Sequence, residues 1–198
     1  MAQTHSVIII PGLGDNTDYI KLLSKSWMKY GLNIIPYSVG WADGEKYFKP
    51  KLDKLIRLID KLVKAGEKIS IVGTSAGGSA ALNAFMERKD VIHKVINVCG
   101  RLRVGPESGL WSFLLRTKSS PSFADSVRMC EANQKQLSKD DKKKIMTITP
   151  LFGDQLVPYS TIPIDGALNK KLFMGEHVLS IATAMTIYSP LKKFLLSS

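Results

Sequence analysis

Disulfide chemistry has almost nothing to work with in this sequence, because only two cysteines, Cys99 and Cys130, stand in 198 residues. They are too few for a disulfide framework and lack the CxxC or Cys/His spacing of a metal site. A reducing, cytoplasmic compartment is the simple expectation. No Lys or Arg precedes the short apolar run Val7 to Ile10, so a signal peptide with its charged leader is not expected. The longest mostly apolar stretch, Val178 to Tyr188, is interrupted by Ser180, Thr183 and Thr186. It falls short of the roughly 18 apolar residues a membrane span requires, and no span is expected. Acidic residues and arginines are scarce too. Against 17 Asp and Glu stand 28 Lys and Arg, a formal net charge of +11, which brings nucleic acid and anionic membrane surfaces into consideration. Yet the cations are mostly Lys. Arg occurs only at Arg57, Arg88, Arg101, Arg103, Arg116 and Arg128, with no aromatic interleaving, so a nucleic-acid partner is not expected.

What is present matches one globular domain. At 44% hydrophobic residues and a mean hydropathy of +0.01, the chain is long enough and apolar enough to bury a sizeable core. Short β-branched runs alternate with longer helical patterns, which predicts an α/β fold of about six mainly parallel strands with helices on both faces. Strands are expected at Ser6 to Ile10, Leu32 to Val39, Ile69 to Val72, Val95 to Cys99, Ile145 to Thr149 and Lys171 to Met174. Helices are expected after the Pro11-Gly12-Leu13-Gly14 turn up to about Tyr30, from Pro50 to Gly66, from Ser75 to about Arg88, from Pro121 to about Leu137, and from Val178 onward. The helix at Pro50 buries Leu52, Leu55, Ile56, Ile59, Leu62 and Val63 at three- and four-residue spacing. Lys51, Lys54, Arg57, Lys61 and Lys64 are assigned to its solvated face. Residues 100–120 break the pattern with Gly105-Pro106 and Gly109 and cluster Trp111, Phe113, Leu114 and Leu115. They look like an insertion.

The third strand ends in Gly73-Thr74-Ser75-Ala76-Gly77, the pattern Gly-x-Ser-x-Gly. The pattern alone is weak, but its context is specific: a serine on a sharp strand-to-helix turn needs small neighbours, and Gly73, Gly77, Gly78, Ser79, Ala80 and Ala81 provide them. The other reading, a glycine-rich phosphate cradle, lacks the Lys of a Walker pattern, and Gly-x-Gly-x-x-Gly does not occur.

Here the chain resembles the α/β-hydrolase superfamily, through its strand order and three separated motifs. The second motif, Pro11-Gly12-Leu13-Gly14-Asp15, is similar to the turn whose amide completes the family's oxyanion hole, in the form seen in small carboxylesterases and acyl-protein thioesterases. Pro11 stands where the family has His. The resemblance implies that the amides of Leu13 and Ala76 are the oxyanion donors. The third motif, Gly153-Asp154-Gln155-Leu156-Val157-Pro158, is similar to the family's acid loop, with two residues fewer between Gly and Asp. Asp154 is the favoured acid; Asp165 and Glu107 are its rivals. Of the three histidines, His5 and His93 precede strands, at the sheet edge away from the carboxyl ends where ligands bind. His177 is left as the base, after the last strand, and the order Ser75, Asp154, His177 is that of the superfamily.

The expectation is therefore a serine hydrolase that cleaves esters or thioesters of small to medium acyl groups, a small-molecule substrate, without metal or organic cofactor. Trp111, Phe113 and Leu114 are candidate linings of an acyl pocket, on residues 100–120 as a small cap. Two alternatives stay open: a non-catalytic binding protein on a hydrolase scaffold, and a basic binder of nucleic acid or membrane surfaces. Cys99, at a strand end beside the presumed site, reads as a small buried thiol.

Overall fold

The computed structural model describes residues 3–197. Six strands form one open sheet: β1 (His5–Ile10), β2 (Leu32–Pro36), β3 (Lys68–Thr74), β4 (Ile92–Val98), β5 (Ile145–Pro150) and β6 (Leu168–Leu172), in the order β2-β1-β3-β4-β5-β6. Every pairing is parallel. The helices are α1 (Thr17–Ser24), α2 (Lys49–Lys64), α3 (Gly77–Glu87), α4 (Phe113–Thr117), α5 (Pro121–Gln134), α6 (Lys139–Lys143), α7 (His177–Thr186) and α8 (Ser189–Leu196).

Strand alternation sorts the core into two layers. Ile8, Ile10, Ile69, Ile71, Val95 and Ile145 face one way, against Leu52, Leu55 and Ile59 of α2, the alanines of α3, and Phe123 and Val127 of α5. Val7, Ile9, Val72, Ile96, Met146 and Ile148 face the other, against Ile20 of α1, Ile181 and Met185 of α7, and Leu191 and Leu195 of α8. Both faces of the central strands are covered, so that even their polar residues Ser6, Ser70 and Asn97 are buried.

The helix ends follow local chemistry. Asn16 caps α1 by accepting from the Tyr19 amide at 2.8 Å, and Ser120 caps α5, whose first residue is Pro121. The expected long first helix is α1 followed by a 3-10 stretch, Lys25–Tyr30, ended by Gly31 at φ 77°. The last helical region is likewise two helices, α7 and α8, with Pro190 opening the second.

Three expectations need correction. Lys51 is 3% exposed instead of solvated, because its Nζ donates to the Gly40 carbonyl at 2.7 Å and pairs with Asp43. His5 and His93 lie within β1 and β4 instead of before them, their rings edge to face at 5.7 Å at the amino ends of the strands. β6 begins three residues earlier than expected: it is a polar edge strand, Leu-Asn-Lys-Lys-Leu, mostly exposed, so apolar patterning could not mark it.

Candidate active site

The turn between β3 and α3 holds Ser75 at φ 51°, a left-handed conformation that an L-residue adopts only under constraint. Its amide donates to the Val98 carbonyl at 2.9 Å, and its carbonyl accepts from the Gly78 amide at 3.0 Å. The glycines around it answer to space: a Cβ on Gly73 would lie 2.2 Å from the Gly77 carbonyl oxygen, and one on Gly77 would lie 2.2 Å from the Ile10 carbonyl oxygen. Any side chain there would force β3, α3 and β1 apart.

Above the turn, three side chains form one hydrogen-bonded chain. Asp154 Oδ2 meets His177 Nδ1 at 2.6 Å, and His177 Nε2 meets Ser75 Oγ at 2.9 Å. The side chains of His177 and Asp154 are 3% and 2% exposed, so water hardly competes for the contact. The other oxygen of Asp154 accepts from the amides of Leu156 and Val157 at 2.7 and 2.9 Å, which fixes the carboxylate's orientation within its loop. Among the described residues, neither Asp165 nor Glu107 forms a hydrogen bond or ion pair with His177.

Two positioning residues escaped the sequence reading. His177 opens α7 and donates its backbone N–H to Gln155 Oε1 at 3.1 Å, while Gln155 Nε2 donates to Glu176 Oε1 at 2.6 Å. Glu176 in turn caps α7 by accepting from the Leu179 amide at 2.6 Å, and these backbone contacts hold its carboxyl below the usual range. Glu is not among the preferred capping residues, so composition gave little signal.

Leu13 and Ala76 flank the serine. Both border a space that also touches Ser75, and among the described residues neither backbone N–H has an acceptor inside the protein. The turn carrying Leu13 is pinned from outside: Asp15, at φ 49°, accepts from the amides of Val39 and Gly40 at 3.1 and 2.7 Å. A Cβ on Gly12 would stand 2.9 Å from Ser75 Cβ, so this turn presses directly on the serine.

A cleft of 340 Å³ opens at Ser75 and His177 between α1 and α7, walled by Leu13, Tyr19, Ile20, Leu156, Val178 and Ile181. The residues expected to line an acyl pocket are elsewhere. Phe113 is 3% exposed in the core, its ring between the guanidinium groups of Arg101 and Arg128. Leu114 is 70% exposed, on the opposite side of the short α4. Trp111 lies behind the acid loop, donating Nε1–H to the Asp154 carbonyl at 3.2 Å. None of the three borders the cleft at Ser75. Residues 100–120 do stand beside the site, but as a fastened segment: Arg101 donates to the carbonyls of Arg103, Val104 and Trp111, and Arg116 to those of Leu110 and Gln155.

Cys99, at φ 54° and fully buried, lies below the acid loop; burial, reinforced by Asp154 and Glu176, pushes its thiol well above the usual range. Thiolate chemistry is thereby disfavoured.

No protein-family model and no curated protein matches the chain by sequence. Solved structures do match. A carboxylesterase structure from the thaumarchaeon Nitrososphaera gargenis is similar at a TM-score of 0.72 and 17% identity, covering 98% of this chain and 91% of that one. The ydeN gene product of B. subtilis is similar at 0.66 and 18%, covering 98% and 100%. A monoacylglycerol lipase from Paleococcus ferrophilus is similar at 0.65 and 14%, covering 97% and 96%. Six parallel strands in one open sheet with helices on both faces agree with these likenesses, and the chain has the α/β-hydrolase fold.

Proposed function

We propose that the protein is a serine hydrolase of carboxylic esters or thioesters, working through an acyl-enzyme on Ser75. The observation that carries this reading is the unbroken Asp154, His177, Ser75 hydrogen-bond chain, ending on a serine held in a left-handed turn. Ser75 Oγ attacks the acyl carbon as His177 Nε2 takes its proton. The tetrahedral oxyanion is met by the amides of Leu13 and Ala76; losing one such donor raises the barrier by about 3 kcal/mol. Collapse breaks the bond to the alcohol or thiol, which leaves with the proton from His177. Water, deprotonated by His177, then releases the acid and restores Ser75. Asp154 holds the imidazole tautomer and stabilises the imidazolium that forms.

The fold neighbours include a carboxylesterase and a monoacylglycerol lipase, which favours ester substrates. The reaction uses only side chains and backbone amides of this chain. Among the described residues no helix is long and apolar enough to cross a membrane. The test is steady-state hydrolysis of a hexanoyl ester by the wild type and Ser75→Ala. Turnover should fall by at least about 10⁴-fold in the variant with its melting temperature preserved, because Ala fits the turn. Equal turnover by the two proteins would contradict the reading.

A further inference from the structure

Two cavities meet at the Ser75 hydroxyl, and they differ in kind. The one that His177 borders is the apolar cleft between α1 and α7. The other, of 150 Å³, is bordered by Ala76, Phe123 and Val157, and its charged wall is Arg101 and Arg116. Among the described residues neither guanidinium forms an ion pair with a carboxylate. Arg101, 1% exposed, directs Nε, Nη1 and Nη2 to carbonyls. Arg116 uses Nε and Nη2 on carbonyls at 2.8 and 2.9 Å, which leaves Nη1 without a partner among the described residues. Burial, with Arg116 close by, lowers the Arg101 guanidinium to about 10 against the opposing pull of Glu131, so Arg101 keeps its charge at neutral pH. Arg101 feels the Glu131 carboxylate without pairing to it, and the wall of this pocket itself holds two cations and no acid, so an anion that enters between them and the serine is stabilised there.

The position of His177 assigns the two halves of an ester. The leaving oxygen must take its proton from Nε2, so the alcohol half lies in the cleft that His177 borders. The acyl half then occupies the pocket beyond Ala76. We infer that the protein, on the hydrolase reading above, selects esters of short acids bearing a second, anionic carboxylate, which Arg116 binds; the alcohol half is apolar. Arg101 is a positioning residue, since its bond to the Trp111 carbonyl fastens the segment that carries Arg116.

Three esters separate the possibilities by proton release at constant pH: monohexyl succinate, its uncharged counterpart hexyl pentanoate, and the pentanoate ester of 6-hydroxyhexanoic acid, whose charge sits in the alcohol half. The expected kcat/KM for monohexyl succinate exceeds that for hexyl pentanoate by at least about tenfold, mostly through KM, and the advantage shrinks as salt is added. Arg116→Gln should abolish the ratio and Arg116→Lys should keep part of it, a pattern that loss of the segment's anchoring alone would not give. Equal rates for the first two esters, an advantage that survives Arg116→Gln, or preference for the third ester would overturn the inference while leaving the hydrolase reading intact. Absence of hydrolysis with all three would overturn both.

Discussion

Ser75, Cys99 and Asp15 are the non-glycine residues with positive φ among those described: Ser75 and Cys99 directly follow β3 and β4, and Asp15 lies in the loop after β1. Strain is concentrated where the chain must turn sharply to present groups to one point. The central relation is between Asp154 and His177. An Asn at 154 still accepts from the Leu156 and Val157 amides, so the loop keeps its shape, but its amide can also donate to Nδ1 and favour the wrong tautomer. Asp154→Asn should therefore lower kcat for ester hydrolysis by about 10⁴-fold with little change in melting temperature. Full activity in that variant would move the orienting role to another residue. The meeting of Ser75, Asp154 and His177 was legible in the sequence because each follows a strand and only one histidine stands at a strand's carboxyl end. Gln155 and Glu176 were not legible, since nothing in an isolated Gln or Glu announces a hydrogen bond to a neighbouring loop.

Strands and helices were read well where burial imposes a period. α2 repeats its apolar residues, and the central strands are buried almost throughout because helices cover both faces. The segment between β4 and α5 was read less well. Its apolar cluster suggested a pocket lining, yet Phe113 packs between Arg101 and Arg128 while Leu114 and Leu115 face solvent; composition cannot say which side of a five-residue helix is buried. The consequence is measurable as thermal stability. Phe113→Ala should destabilise the protein by about 3 kcal/mol or more, whereas Trp111→Ala, at a side chain 45% exposed, should lose well under half of that. A larger loss for Trp111→Ala would mean that the segment is anchored through the tryptophan.

The molecule divides its chemistry between the two ends of one parallel sheet. Carboxyl ends carry the serine, acid and histidine; amino ends carry His5 and His93, which have no part in that site. Burial, with Lys68 and His93 adding to it, holds the His5 imidazole down at about 4 from its usual 6.5. The unfolded chain takes up this proton near 6.5 and the folded chain only near 4, so unfolding binds a proton between them. Stability is complete above 6.5 and falls as pH drops toward 4. His5→Gln, which can still bond Ser70, should show a shallower decline in melting temperature over that window than the wild type; identical slopes would show that the loss comes from other groups, carboxylates or His93, whose imidazole burial also lowers. The net charge of +11 lies largely on surface lysines, while the cations that face the site are the two arginines of its smaller pocket. The most direct measurement of the central claim is reaction of the wild-type protein with a fluorophosphonate probe, followed by mass-spectrometric mapping of the modified residue. An ordinary serine hydroxyl is too weak a nucleophile to react, so labelling should be stoichiometric at Ser75 and lost in His177→Ala. Label on any other residue, or none, would contradict the account.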